Sequence, residues 1–283
     1  MSALVVRATS GPVLVQDRGR PGHAAIGVGT TGAADRASHD LANRLVGNDP
    51  GAATLEVVLG GLEVEAVGTV WACVTGAPAP LHVDGRAEPT GAVLALRPGQ
   101  RLVLGTPPHG LRSYLAVRGG VDVPPLLGSR SRDTLAGLGP EPLRSGEQVA
   151  VGSEVAEEIR VDAVAPRRDD GPATLRLHRG PRADWVTDVG ALVSTTWRVG
   201  ADSDRVGVRL EGAPLGVVPG RGELPSEGVL RGAVQLPPDG RPVVFGADHP
   251  VTGGYPVVAV VTGADTDRLA QLRPGEELRF RWA

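Results

Sequence analysis

The sequence of 283 residues contains no lysine, so arginine supplies all 29 of its Lys+Arg total. That absence excludes a lysine-bearing phosphate loop, a Schiff-base amine and a biotinylated lysine on this chain. Any phosphate or carboxylate held here must be met by arginine forks and backbone N–H groups. There is one cysteine, Cys73, within Val70-Trp-Ala-Cys-Val74, so no intrachain disulfide can form. A small buried core role is expected for it rather than nucleophilic chemistry. Aromatic residues make up only 3% of the chain. Apolar runs stay far short of the ~20 residues a membrane helix needs. Residues 1–15 carry no basic stretch followed by an apolar one, so no signal peptide is expected and the cytoplasm is the expected compartment. The net charge of −3 gives no basic field for nucleic acid or an anionic membrane.

What the chain has in abundance is glycine and proline, 41 and 25 residues. They imply many turns between short elements, and strand-like runs follow one another at close spacing, so the expected class is mainly β. Runs at 54–59 and 62–67 flank Gly60-Gly61 and suggest a hairpin. Asp84-Gly85 and Pro98-Gly99 mark further turns. One helix is expected over residues 33–46, with Ala37, Leu41 and Leu45 as its apolar stripe, Asp35 in its first turn and Gly47-Asn48 as its stop.

The order Val74-Thr-Gly-Ala77 then Leu96-Arg-Pro-Gly99 recurs as Val261-Thr-Gly-Ala264 then Leu272-Arg-Pro-Gly275. The recurrence suggests two related β-rich barrels. Residues 163–172, with Pro, Arg-Arg and Asp-Asp, read as the linker between a domain at 1–165 and a second at 173–283.

Chemistry concentrates in polar loops. Gly27-Val-Gly-Thr-Thr-Gly32 has the dinucleotide spacing but lacks the preceding strand and alternating β and α elements that give the motif its meaning. The histidines show no metal spacing, and no G-x-S-x-G elbow is present. Four segments are unusually polar for connections between strands: Val15-Gln-Asp-Arg-Gly-Arg-Pro-Gly22, residues 202–211, residues 225–231 and the stretch from Phe245 to Pro256. The last places a carboxylate, an imidazole, a hydroxyl, two glycines and a phenol together. Rigid strands holding several such loops favour a site.

Together these segments resemble the KipA / allophanate hydrolase subunit 2 family, also called the PxpC family after the C-subunit of 5-oxoprolinase. The matching stretches are Val15-Gln-Asp-Arg-Gly-Arg-Pro-Gly22, Gly32-Ala-Ala-Asp35, Leu41-Ala-Asn43, Leu55-Glu56, Tyr114 to Asp122, Gly128-Ser-Arg-Ser131, Ser203-Asp-Arg-Val-Gly207, Ser226-Glu-Gly228, Gln235 and Asp248 to Pro256. They cover nearly the whole chain in order. The resemblance implies two cyclophilin-like β-barrels with few short helices. It also implies a KipI-like partner (PxpB) and a LamB/YcsF-like hydrolase subunit (PxpA) in a heteromeric complex that opens 5-oxo-L-proline to L-glutamate with ATP. His249-Pro250-Val251 depart from the family's usual loop, which bears on which small amide or lactam is preferred.

On this basis the catalytic candidates are Asp17, Arg20, Asp35, Arg205, Arg209, Glu227, Asp248 and His249. The substrate-binding candidates are Asn43, Glu56, Ser226, Gln235, Thr252, Gly253, Gly254 and Tyr255. Arg20, Arg205 and Arg209 are assigned anion binding; Asp17, Asp35 and Glu227, polar or metal-bridged orientation; Asp248, Thr252 and Tyr255, the pocket wall; His249, proton movement. No dedicated metal site is assigned. The expected cofactor is ATP with magnesium, and no biotin is carried on this chain. Arg205→Ala is expected to abolish coupled ATP hydrolysis and spare the fold. Two other readings stay open: a carboxyltransferase component acting on urea or a related small amide, and a non-catalytic KipA-type binder of a kinase inhibitor.

Overall fold

The computed structural model describes residues 2–165 and 172–283. Residues 166–171 of the expected linker lie outside the described residues. The chain divides into two compact units: Met1–Arg20, Thr31–Asp133 and Gly137–Arg168 form the first, and Pro21–Thr30, Thr134–Ala136 and Asp169–Ala283 the second. It is mainly β, and among the described residues the α-helices are Arg36–Leu45, Ala191–Ser194 and Gly263–Leu269.

In the first unit, strand Ala3–Thr9 lies between Gln148–Val151 and Leu62–Val67 in a seven-stranded sheet. A five-stranded sheet runs Val13–Gln16, Thr54–Val58, Arg112–Val117, Val70–Gly76, Val93–Leu96. One apolar core joins side chains of both, including Leu4, Val6, Leu62, Val64 and Leu102 with Val13, Leu55, Val57, Leu115 and Leu94. Each fully buried Val or Leu contributes about 1.5–3 kcal/mol. Strand Leu62–Val67 buries alternate residues, as a half-exposed strand does. Strand Arg112–Val117 is buried at every position. The reason is the helix Arg36–Leu45: its Ala42 and Leu45 pack with Cys73, Tyr114 and Ala116 on the other face of the five-stranded sheet.

Two local expectations differ from what is found. Strands Thr54–Val58 and Leu62–Val67 do not pair as a hairpin; the first belongs to the five-stranded sheet and the second to the seven-stranded one. Leu59, Gly60 and Gly61 take φ of 58°, 70° and 74°, and these left-handed steps carry the chain from one sheet to the other. A Cβ on Gly60 would stand 1.9 Å from the Gly105 carbonyl oxygen, so that crossing admits no side chain. The helix sets Leu45 and half-buried Leu41 of the expected stripe against the core, but not Ala37. His39, Ala42, Asn43 and Leu45 are buried, whereas Ala37 is exposed. Periodicity in apolar residues missed this because two polar side chains lie on the inner face, where Asn43 satisfies its amide with hydrogen bonds. Asp84-Gly85 does close a two-residue hairpin, pairing Val83 with Arg86.

In the second unit seven strands close into a barrel, in the order Ala173–Arg179, Val257–Val261, Ala233–Gln235, Val243–Phe245, Gly207–Glu211, Thr196–Val199, Glu277–Trp282. The circle closes through parallel pairing of Ala173–Arg179 with Glu277–Trp282. Closure leaves no free edge among these strands. The interior is filled by Leu175, Leu177, Trp197, Leu210, Val234, Val244, Val258, Leu278 and Phe280. Buried Trp197 donates its indole N–H to the Leu192 carbonyl at 2.9 Å. Of the two repeated tetrapeptides at 74–77 and 261–264, both end a strand, but only the second leads into a helix, capped at Thr262.

Candidate functional site

In the first unit the chemistry-bearing residues gather where strand Val13–Gln16 ends. Asp17 organises the loop that follows. Its Oδ1 accepts from the Gly19 N–H at 2.7 Å and from the Ser129 and Ser131 hydroxyls at 2.6 Å each; Oδ2 accepts from the Arg130 N–H at 2.6 Å. These donors hold residues 129–131 against residues 17–19. Ser131 then offers its carbonyl to Arg20 Nη2. Arg20 is 1% exposed, and its Nε reaches only the Leu126 carbonyl, at 3.4 Å. Its Nη1 has no hydrogen-bond partner among the described residues. Gln16, fully buried, donates Nε2 to the Arg132 carbonyl at 2.8 Å and leaves Oε1 without a partner.

The other first-unit candidates serve the scaffold. Asp35 caps the helix Arg36–Leu45, accepting from the Ser38 N–H at 3.0 Å and the Ser38 hydroxyl at 2.7 Å. Glu56, fully buried, accepts from the Ala34 N–H at 2.9 Å and the Tyr114 hydroxyl at 2.8 Å, with Arg112 Nε at 3.5 Å. Burial, then the neighbouring Glu56 and Asp35 charges, raise the Tyr114 pKa well above that of an ordinary phenol, so it stays a donor. Asn43 and Asn48 bond each other and the carbonyls of Ala52 and Val117, fixing the helix exit. A separate half-open cavity of about 470 Å³ is lined by Asp49, Gly119, Asp122, Arg130, Ser153 and Glu154 among others, and no candidate residue faces it.

In the second unit Arg205 and Asp248 form a two-pronged pair, Nε to Oδ2 at 2.8 Å and Nη2 to Oδ1 at 2.9 Å, both buried. Thr134 adds its N–H at 2.9 Å and its hydroxyl at 2.7 Å to the same Oδ2. Arg205 is thus already committed to an anion of the protein itself, so Arg205→Ala is expected to reach the stability of the barrel as well as any function. His249, next in sequence, has Nδ1 2.7 Å from the Pro250 carbonyl oxygen. Arg209 points outward from strand Gly207–Glu211, so the structure does not bring it to Arg205.

A small two-stranded sheet pairs Glu227 with Gly253 and Gly228 with Thr252. It places Ser226, Glu227, Thr252, Gly253 and Gly254 together. Gln235 donates Nε2 to the Tyr255 carbonyl at 3.0 Å, and a Cβ on Gly253 would lie 2.6 Å from that Nε2. Tyr255 is 47% exposed. Glu227 pairs closely with Arg182, whose hydrogen bond draws its carboxyl below the usual range.

The fit to magnesium is poor. Asp17 and Asp35 have their oxygens taken by N–H and hydroxyl donors, and Glu227 is held by Arg182. Among the described residues no group of three or more His, Cys, Asp or Glu side chains could hold a metal ion. No step is therefore assigned through a metal on this chain.

Sequence reasoning quoted Gln16, Tyr114, Ser129 and Ser131 within its matching stretches without naming them as site residues, and passed over Thr134. Gln16 carried a signal: it continues the apolar run Val13-Leu-Val15 into the core, where an amide needs a reason to be.

A mainly β chain with a closed barrel and buried arginine chemistry defines the class, and the chain belongs to the carboxyltransferase domain family, subdomains A and B, whose model matches residues 26–282. It is 38% identical to the C-subunit of 5-oxoprolinase from Escherichia coli over 94% of this chain and 86% of that protein. It is 30% identical to the urea amidolyase of Saccharomyces cerevisiae over 93% of this chain but 16% of that one. Among solved structures, the urea amidolyase of K. lactis superposes with a TM-score of 0.92 at 27% identity, covering 98% of this chain and 18% of that one. The protein TTHA0988 superposes at 0.89 with 37% identity, and this chain spans 56% of its length.

Proposed function

We propose that this chain is a subunit of an ATP-dependent 5-oxoprolinase, converting 5-oxo-L-proline, ATP and water to L-glutamate, ADP and phosphate. It acts with a KipI-like partner (PxpB) in the lactam-activating step and with a LamB/YcsF-like subunit (PxpA), and it is active only in that complex. The observation that carries this reading is the 38% identity to a 5-oxoprolinase C-subunit over 94% of the chain, against 30% to a urea amidolyase over 93%.

The chemistry agrees with the residues. A lactam carbonyl is a poor electrophile because its nitrogen delocalises into it. Attack of the lactam oxygen on the γ-phosphorus of ATP expels ADP and leaves a phosphate leaving group at that carbon. One water adds to that carbon and the tetrahedral adduct collapses with cleavage of the ring C–N bond, the nitrogen taking a proton and leaving as the free amine of γ-glutamyl phosphate. A second water then hydrolyses this acyl phosphate to L-glutamate and phosphate. This chain's contribution is to bind and orient a small acidic lactam with arginine and amide groups, since it has no lysine. ATP, with its magnesium, is bound by the assembled complex.

The test is reconstitution. The chain is co-purified with its two partners, and ADP release is followed with and without 5-oxo-L-proline. Lactam-dependent release supports the reading; a stable complex without it favours a regulatory binder. The carboxyltransferase alternative is kept by the fit to the K. lactis urea amidolyase. It requires biotin-dependent carboxylation of urea or a related small amide, with biotin carried on another chain.

A further inference from the structure

We propose that Gln16 and Arg20 are the recognition pair for the ligand of this site, a small acid bearing a secondary amide. The amide N–H donates to Gln16 Oε1, and a carboxylate oxygen accepts from Arg20 Nη1. This rests on the reading above for the substrate class and adds the residues that read it.

Two buried polar atoms lack partners, on side chains anchored to the carbonyls of residues 132 and 131. Gln16 is 0% exposed and Arg20 1%, yet Gln16 Oε1 and Arg20 Nη1 make no hydrogen bond among the described residues. A buried polar group without a partner is destabilising, and an unpaired buried charge more so, so both positions need an explanation. The side chains are anchored on consecutive carbonyls: Gln16 Nε2 donates to Arg132, and Arg20 Nη2 to Ser131. The Arg132 carbonyl can only accept, which settles the amide orientation and leaves the oxygen as the free end. One unmet acceptor and one unmet cationic donor are the complement of a ligand with an N–H and a carboxylate. Phosphate offers only oxygens and would leave Gln16 unmet.

The other arginines assigned to anions do not compete for the part. Arg205 is bound to Asp248, and Arg209 faces outward. Asp17, the carboxylate nearest Arg20 in sequence, is taken up by Gly19, Ser129, Arg130 and Ser131. It acts as a positioning residue, holding the Ser131 carbonyl that orients the Arg20 fork.

Entry requires a moving part. In the turn Leu126–Ser129 the Leu126 carbonyl meets Arg20 Nε at 3.4 Å. The turn is closed by the Leu126–Ser129 bridge, with Leu127 at φ 52° and with Leu126 and Leu127 42% and 38% exposed. In this proposal residues 126–128 move aside on ligand entry while Ser129, pinned by Asp17, stays in place.

The test is calorimetric titration of the purified chain with three probes: 5-oxo-L-proline, its lactone counterpart in which a ring oxygen replaces the N–H, and inorganic phosphate. The lactam should bind at least about tenfold more tightly than the lactone, because a site built for an N–H rejects an analogue without one. Gln16→Leu should erase that difference while the carboxylate still binds. Arg20→Met should lose both ligands with the melting curve still cooperative. If Arg20→Met does not fold, Arg20→Lys replaces it and should weaken both ligands at least about tenfold, since an ammonium lacks the fork. Equal lactam and lactone affinity, discrimination that survives Gln16→Leu, or binding of phosphate without the lactam would overturn the proposal, as would no binding. Lactam selectivity with no turnover in the reconstituted complex would sink the enzymatic reading and leave this one standing. Turnover without a Gln16-dependent preference would do the reverse.

Discussion

Arg205 and Asp248, 43 positions apart in sequence, share two hydrogen bonds of 2.8 and 2.9 Å in the second unit, with side-chain exposures of 6% and 0%. Removing one partner leaves the other as a buried uncompensated charge. Arg205→Ala should therefore cost about 3–5 kcal/mol of unfolding free energy. Replacing both residues together by Met and Leu should cost far less, because no charge is stranded. Urea unfolding of the two single variants and the double one measures this, and an Arg205→Ala protein as stable as the parent would show that the pair does not act as a unit.

Asp17 gives the first unit its corresponding weak point. It accepts from Gly19, Ser129, Arg130 and Ser131, all within 2.7 Å. Asp17→Ala strands buried donors on two chain segments, and a loss of about 2–4 kcal/mol is expected. Asp17→Asn keeps the shape and one acceptor oxygen, so its loss should be smaller. Chemical denaturation read by the tryptophans gives the ranking. Hydrogen exchange should accelerate first at Arg130, whose N–H loses its carboxylate.

The strand-rich class was legible because glycine and proline punctuate short β-branched runs, a local signal. The Asp84-Gly85 hairpin was legible for the same reason. Gly60-Gly61 misled because positive-φ glycines serve a hairpin and a sheet-to-sheet crossing equally well, and only the partners of the flanking strands distinguish them. Among candidate residues, chemistry-bearing types were readable but their occupation was not. Asp17 finds its donors 112 to 114 positions away at Ser129 to Ser131, and Arg205 finds Asp248 across the barrel. Whether a polar side chain is already satisfied depends on such distant pairings. For that reason the sequence nominated three arginines for one task, and burial with partner counting left one.

Cys73 lies on strand Val70–Gly76, between Arg112–Val117 and the edge strand Val93–Leu96 of the five-stranded sheet, and is 0% exposed. Burial alone pushes its thiol up to about 12. At neutral pH it is a thiol in a closed core, so an excess of a thiol reagent should label it at the rate at which the first unit opens. Labelling that is fast in buffer and unaccelerated by low urea would place the thiol in solvent, against the packing of Cys73 with Tyr114 and Ala116.

Asp40 supplies a pH dependence with a definite sign. Partial burial works against its charge, but hydrogen bonds from His39 at 3.0 Å and Arg18 at 2.6 Å win, lowering its pKa to about 2 from 3.8. A carboxyl whose folded value lies below its unfolded one stabilises the protein fully above the unfolded pKa. That stabilisation is lost as pH falls through the folded pKa. The window is thus from about pH 4 down to about pH 2. With Arg18 half exposed, the contribution is about 1–2 kcal/mol after screening. Asp40→Asn should melt below the parent at pH 7 by that margin, and the two curves should converge as pH drops to about 2. A gap that persists at pH 2 would mean that Asp40 acts through packing rather than charge, leaving Arg18 and His39 as bystanders.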